Sequence, residues 1–303
     1  MRPMLAIAGP QPIGAEWLHE VKWDGLRILA DVSQSVLQLS SRAGLDVTTS
    51  FPELEPITAT VRDALIDGEV IVLRDGVPSY EALTDRLQVS DDAAARGLAE
   101  REPATMMAFD LLRLYGVDLT GRALTERRAS LERLQLPAES WRTSPRYDDG
   151  PALLSATREQ GLEGVVAKRL GSTYQPGRRS PDWVKTAHRF RDTFVVGGWL
   201  PAGSEGVAAL LVGVPSAHGR LRYAGRVERG IGAGCAEELH RSLSHLTTPA
   251  SAFDSLPETA GVRWCLPRLV VDVRHLGRSA DGLLRDPVFR GIQDDLDSAR
   301  AAR

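Results

Sequence analysis

The chain has only three lysines among its 303 residues, Lys22, Lys168 and Lys185; every other basic side chain is arginine. Arginine replaces lysine as a surface charge but not as a nucleophile, because the guanidinium stays protonated while an ε-amine can shed its proton. Each retained lysine is therefore a candidate for chemistry. Cysteine is scarcer still. Cys235 and Cys265 lie far apart, which excludes a zinc spacing or a disulfide framework and points to a reducing cytoplasm. No apolar run approaches the roughly 20 residues that span a bilayer, so no membrane segment is expected. Pro3, Pro10 and Pro12 stand where a secretory leader would be apolar. A net charge of −3 gives no global mark of nucleic-acid binding. Locally the picture differs. Segment 168–191 holds Lys168, Arg169, Arg178, Arg179, Lys185, Arg189 and Arg191 against Asp182 alone, a stretch able to meet phosphates or to form a solvated loop and helix face.

Hydrophobic content of 43% and charged content of 25% fit a globular chain, and the length favours two domains. Short β-like runs are expected at 36–39, 64–66 and 69–73, the last two broken by Asp67-Gly68. Asp75-Gly76 signals a hairpin. Segment 80–99 reads as helical and 106–114 as a buried strand. Segment 122–135 has helical spacing with Thr125 as N-cap. A further helix is expected at 151–161 and a strand at 163–168. Glu53 suits an exposed helix start. Beyond about residue 190 the texture becomes β, with runs at 194–196, 208–214, 221–227 and 269–273 and a helix at 235–245. Turns are expected at Gly197-Gly198, 216–219 and 230–234. That pattern predicts a small barrel. The polar tail 292–303 is expected to fray.

A lysine nucleophile needs neighbouring cations that favour the neutral amine, and carboxylates that can hold a metal against a phosphate. The chain supplies such a set: Lys22 in KWDG, Asp67 and Glu69 in DGE, Glu163 in EG, and the cations Arg27, Arg42, Lys168, Arg179 and Lys185.

Order and wording make the set specific. Lys22-Trp23-Asp24-Gly25-Leu26-Arg27 resembles the KxDGxR signature of covalent nucleotidyltransferases. Asp67-Gly68-Glu69, Phe109-Asp110-Leu111-Leu112, the 163–168 run EGVVAK and Trp183-Val184-Lys185 resemble four further motifs of that superfamily, in the same order. SRAGLDVT (41–48), FPEL (51–54), GLEGVVAKR (161–169), YQPGRRSPDWVK (174–185) and VVGGW (195–199) are similar to bacterial ATP-dependent DNA ligases of the end-joining type. The likeness covers nearly the whole chain, read as a stand-alone ligase without fused polymerase or nuclease modules.

The resemblance implies an α+β nucleotidyltransferase (ATP-grasp-like) catalytic domain at 1–190, with the nucleotide between antiparallel sheets, followed by an OB-fold barrel at 191–303. It implies that Lys22 takes AMP from ATP, that Glu20 lies beside the adenine, and that Arg27 and Arg42 contact ribose or phosphates. Glu69 would meet the ribose or the metal (Mg²⁺ or Mn²⁺), with Glu163 as its other support. Phe109 would stack on adenine, Lys168 and Lys185 would contact the α-phosphate, and Arg179 would line the pocket. Nicked or broken double-stranded DNA is the implied substrate, a Ku-like end-binding protein the implied partner, and a nucleoid-associated cytoplasmic monomer the implied state. The rivals are an RNA ligase of the same superfamily and a nucleic-acid-binding homologue deficient in self-adenylation. Three positions depart from the family pattern. Ala187 stands where many ligases carry a second basic residue, and Gln293 and Leu296 replace two cations near the C-terminus. That loss predicts slow self-adenylation.

Overall fold

Alternating side chains feed two cores from the same strands. In Leu26–Ser33 (β3), Ile28, Ala30 and Val32 enter one apolar cluster while Leu29 enters another. The same alternation recurs in Asp63–Arg74 (β5), with Ile66 against Leu65, and in Ala104–Leu114 (β7), with Ala108 against Phe109. Period-two alternation with both sets apolar makes a sheet covered on both faces. The computed structural model describes residues 1–293 except 75, 90, 204–205, 218, 256–259 and 280. The chain divides into two compact units, Met1–Ala187 and His188–Arg303.

In the first unit one sheet runs in the order β4 (Val36–Ser41), β3, β5, β7 and β8 (Val117–Asp118). To it are added β6 (Val77–Pro78) on β5 and β9 (Trp141–Thr143) on β7. The other sheet runs β1 (Leu5–Ala8), β12 (Arg179–Ala187), β11 (Gly164–Arg169), β2 (Trp17–Val21) and β10 (Arg146–Tyr147). Most pairings are antiparallel, but β1 with β12 and β9 with β7 are parallel, so the sheets are mixed. Met4, Leu29, Leu65, Phe109, Leu112, Tyr174 and Trp183 form the apolar layer that joins the two sheets. The helices are α1 (Ile57–Thr60), α2 (Tyr80–Leu87), α3 (Asp92–Arg101), α4 (Leu124–Glu132) and α5 (Gly150–Glu159).

Several local expectations are corrected. Asp67-Gly68 is not a break: β5 runs through it, with a register shift against β7. A Cβ on Gly68 would lie 2.8 Å from the Met107 carbonyl, so close strand approach, not a turn, demands glycine there. Segment 80–99 is two helices, because Asp91 caps a new one by accepting from the Ala94 N–H at 2.9 Å. In α4 the N-cap is Ala123, whose N–H donates to Glu126, and Thr125 lies inside the first turn. Glu53 does lie in the first turn of a short 3-10 helix, Pro52–Leu54, but it is not exposed: it binds buried Arg86 at 2.7 Å and accepts from the Ala104 N–H. The basic stretch 179–187 is a strand, not a helix face. Asp75 lies outside the described residues, but β5 and β6 pair across it as a hairpin.

The second unit is a sheet in the order β15 (Leu221–Val227), β14 (Gly206–Pro215), β13 (Phe190–Ala202), β17 (Val270–His275) and β18 (Val288–Gln293), with β16 (Arg263–Trp264) on β13. A bridge between Arg229 and Val288 joins its two ends and closes the barrel. α6 (Ala233–His245) adds Leu239 and Leu243 to a core with Phe194, Trp199, Leu210 and Val271. Gly197 and Gly198 lie within β13 rather than at a turn. A Cβ on Gly197 would meet the Phe253 ring at 2.6 Å. Leu296 and the rest of the tail from residue 294 lie outside the described residues; Gln293 ends β18. Among the described residues no helix is long and apolar enough to cross a membrane.

One face of this barrel gathers arginine. Arg191 pairs with Arg274 in the β13–β17 register, and Arg274 pairs with Val288, which also bridges Arg229. Arg290 follows two residues later along β18. Arg290, Arg189 and Arg229 all act on Arg274 as like charges. Arg191 is neutralised by Asp272 and Arg229 by Asp286.

Candidate active site

A cleft between the two sheets of the first unit is lined by Glu20, Lys22, Arg27, Arg42, Glu69, Phe109, Lys168, Arg179 and Lys185. Those are all nine residues assigned from sequence to catalysis or nucleotide binding. Leu5, Ala6, Val21, Trp23, Val166 and Trp183 complete the lining. Glu163 reaches the cleft through its ion pair with Lys22.

Two glycines set Lys22 against Glu163. β2 ends at Val21, and the Lys22 N–H donates to the Gly164 carbonyl at 2.9 Å. Gly164 has φ of +145°, and a Cβ there would lie 2.2 Å from the Thr186 carbonyl. Only glycine lets β11 begin so close to β12. Gly25 is held equally tightly: a Cβ would lie 2.3 Å from the Val70 carbonyl. The KxDG turn is thereby pressed onto β5 next to Glu69.

Arg27 is committed more firmly than the sequence suggests. Its Nε and Nη2 bind Asp67 at 2.6 and 2.7 Å, and its guanidinium lies 4.3 Å from the Phe109 ring centre. Asp67 is fully buried and also accepts from the Tyr174 hydroxyl at 2.6 Å. Burial and Asp67 together push the Tyr174 phenol well above its usual range. The sequence offers Asp67, Glu69 and Glu163 as carboxylates able to hold a metal, and the resemblance implies Glu69 and Glu163. The structure takes Asp67 out of that group, because its oxygens are occupied.

Glu69 faces the cleft half-buried. Burial raises its carboxyl to about 7, against the opposing pull of Arg27 and Lys22. Burial likewise depresses the Lys185 amine, aided by the like charges of Lys22 and Arg179. Lys168 is buried, with its amine 2.7 Å from Glu20 Oε2 and 3.9 Å from the Phe109 ring centre. Here it belongs with the aromatic wall and Glu20. Its amine is depressed chiefly by burial. Arg42 lies in the turn after β4. Arg179 donates to the Ala6 carbonyl at 2.5 Å.

No group of three or more His, Cys, Asp or Glu side chains among the described residues could hold a metal unaided. Glu69 and Glu163 act on each other as like charges at the cleft. Two carboxylates plus substrate phosphates is the usual provision for Mg²⁺, which keeps much of its water. The donor set fits a metal that arrives with a nucleotide.

Sequence reasoning passed over Tyr174, Trp23, Arg128 and the first strand. Tyr174 and Trp23 lie within the YQPGRRSPDWVK and KWDGLR runs, but the resemblance assigns neither a role. Leu5–Ala8 carries no strand signal because four residues are too few to show alternation.

Two family models match the chain: the ATP dependent DNA ligase domain over residues 3–186, and the ATP dependent DNA ligase C terminal region over residues 203–296. The chain is 35% identical over 316 aligned residues to the multifunctional non-homologous end joining DNA repair protein LigD of Mycobacterium tuberculosis. The match takes in 100% of this chain and 40% of that protein, so the chain spans about two fifths of its length. It is 34% identical to DNA ligase C of the same organism, covering 84% of this chain and 72% of that one. A solved structure of mycobacterial DNA ligase D complexed with ATP and MES aligns over 97% of this chain and 95% of that chain, at 34% identity and a TM-score of 0.57. Its nucleotidyltransferase and OB folds are those of such ligases, and the chain belongs to the ATP-dependent DNA ligase family.

Proposed function

We propose that the protein is an ATP-dependent ligase that seals 5′-phosphate/3′-hydroxyl breaks in double-stranded DNA, in repair or end joining. The observation that carries this reading is the meeting, in one cleft, of the retained lysines with Glu163, Glu69 and the aromatic wall.

Lys22 attacks the α-phosphorus of ATP through Nζ. A P–N bond forms, the bond to the bridging oxygen breaks, and pyrophosphate leaves. The proton that the amine sheds passes to solvent. In the resting cleft the Lys22 amine is paired with Glu163, and an amine attacks only once it has given up a proton. A divalent cation held by Glu69 and Glu163 would neutralise phosphate charge there. Lys185 faces the Lys22 amine as a like charge. Lys185, Arg179 and Arg42 stabilise the charge that grows on the phosphates. Phe109, Trp183 and Glu20 bound the base. The 5′-phosphate of a break then attacks the lysine-bound phosphorus and Lys22 departs as the amine. The 3′-hydroxyl attacks that 5′-phosphate, releasing AMP and closing the strand. By analogy with LigD, named for non-homologous end joining, a Ku-like end-binding protein is the proposed partner.

The test is sealing of a 5′-phosphorylated nick with ATP and Mg²⁺ or Mn²⁺, read on a denaturing gel with DNA, RNA and mixed strands. The reading expects closure of DNA nicks. Closure confined to RNA would favour an RNA ligase, and no closure of even a pre-adenylated nick would favour a binding protein.

A further inference from the structure

Behind the cleft lies a side chain that no recognised motif contains. Arg128, on α4, is 1% exposed and reaches three of the cleft's walls. Its Nη1 donates to the Phe109 carbonyl at 3.2 Å and lies 3.2 Å from Glu20 Oε1. Its Nη2 donates to the Ser144 carbonyl at 2.7 Å, and the Ser144 hydroxyl accepts from the Trp23 indole at 3.1 Å. Phe109, Glu20 and Trp23 all line the cleft.

Glu20 is held asymmetrically. Oε2 accepts from Lys168, whereas Oε1 is buried and accepts no hydrogen bond from the protein; its contact with Arg128 is an ion pair without hydrogen-bond alignment. A buried acceptor left open is costly unless a ligand or water donates to it. A carboxylate accepts and never donates. Lys168 is an insecure counter-charge, since burial disfavours its ammonium. A guanidinium cannot be neutralised this way, and its planar fork fixes direction as well as charge.

We propose that Arg128 is a positioning residue for base selection. It fixes Glu20 and the Phe109 backbone so that the open carboxylate oxygen meets a purine carrying an amine, rather than a carbonyl, at its 6-position. The inference rests on the reading of this cleft as the nucleotide site. The alternative is a brace for α4 alone, a role that Arg128's 3.6 Å contact with Glu132 would also serve.

The test is calorimetric binding of the non-cleavable α,β-methylene analogues of ATP and GTP to the full chain and to the Arg128→Met, Arg128→Lys and Glu20→Gln variants, with thermal melting alongside. The parent prefers the adenine analogue. Arg128→Met lowers that preference roughly tenfold, the worth of one misdirected charged hydrogen bond. Arg128→Lys lowers it less, and Glu20→Gln lowers it because an amide can also donate to a 6-carbonyl. A lower melting temperature with the parent's preference intact would make Arg128 a brace and overturn the proposal. If Arg128→Met does not fold, an unchanged preference in Arg128→Lys and Glu20→Gln would overturn it equally. A parent that binds neither analogue would instead overturn the nucleotide-site reading itself.

Discussion

Lys22 and Glu163, 141 positions apart, are joined as an ion pair at the mouth of the cleft. On the proposed reading Glu163 has two duties: it is the ion-pair partner of the Lys22 amine, and it is one of two carboxylates that would hold a metal. Glu163→Gln removes both. Self-adenylation should fall by about a hundredfold or more, the scale of one lost electrostatic contribution to a phosphoryl transition state. Sealing of a pre-adenylated nick should fall less, because lysine no longer attacks. Label transfer from ATP, compared with closure of a pre-adenylated nick, checks this. Equal losses would mean Glu163 serves only the fold.

Glu69 gives a pH signature. Its carboxyl is raised to about 7 by burial, above its ordinary 4.5. A carboxyl raised on folding contributes stability that is present below about 4.5 and is lost as pH rises through about 7. Metal binding needs the carboxylate, so it runs the opposite way. Self-adenylation at low Mg²⁺ should climb roughly tenfold per pH unit below 7 and level off above it, because a single proton competes with the metal. More Mg²⁺ should move the midpoint down. A flat profile between pH 6 and 8 would remove Glu69 from the metal's ligands.

Asp67 is a buried anion whose charge is met by Arg27 and Tyr174. Asp67→Ala leaves that arginine unmatched beside Phe109 and should destabilise the first unit by about 3–5 kcal/mol. Tyr174→Phe removes two hydrogen bonds, the one donated to Asp67 and the one accepted from the Met4 N–H, and should cost at least about 1.5–3 kcal/mol. Denaturant midpoints measure both. A change within about 0.5 kcal/mol, the range of a surface substitution, would contradict the assignment.

Much of this cleft could be read from the chain because its chemistry is carried by unusual residue types at fixed spacing. A lysine-poor sequence exposes its three lysines, whereas the close backbone approach that demands Gly25 and Gly164 shows only in the structure. What escaped depends on long-range contact. Nothing local marks Arg128 as different from Arg133, yet one is buried behind the base wall and the other is exposed. Gly68, Gly197 and Gly198 carried the composition of turns, but each lies in a strand where a neighbouring chain or ring comes too near for a Cβ. The two helices at 80–101 merged in the sequence because periodicity is blind to a cap such as Asp91.

The arginine face of the barrel should set the salt dependence of DNA binding. Arg189, Arg274 and Arg290 have no carboxylate partner among the described residues, unlike Arg191 and Arg229. Replacing those three with glutamine should lower the slope of log affinity against log salt by up to about three, if each meets one phosphate. Fluorescence anisotropy on a nicked duplex measures the slope. An unchanged slope would place the DNA elsewhere.

Gln293, at the end of β18, stands where the resemblance drawn from the sequence implies a cation. Self-adenylation should therefore be slow relative to strand closure, and Gln293→Arg should speed it several-fold. The comparison is closure of a nick given ATP against closure of a pre-adenylated nick. Equal rates in the parent would show that Gln293 imposes no such handicap.

The central claim is that Lys22 carries the nucleotide. Intact-mass measurement after incubation with ATP and Mg²⁺ tests it, with strand sealing followed in parallel. The parent should gain one AMP, mapped to Lys22, and Lys22→Ala should gain none and leave nicks open. Sealing from ATP by Lys22→Ala at the parent's rate would contradict the account.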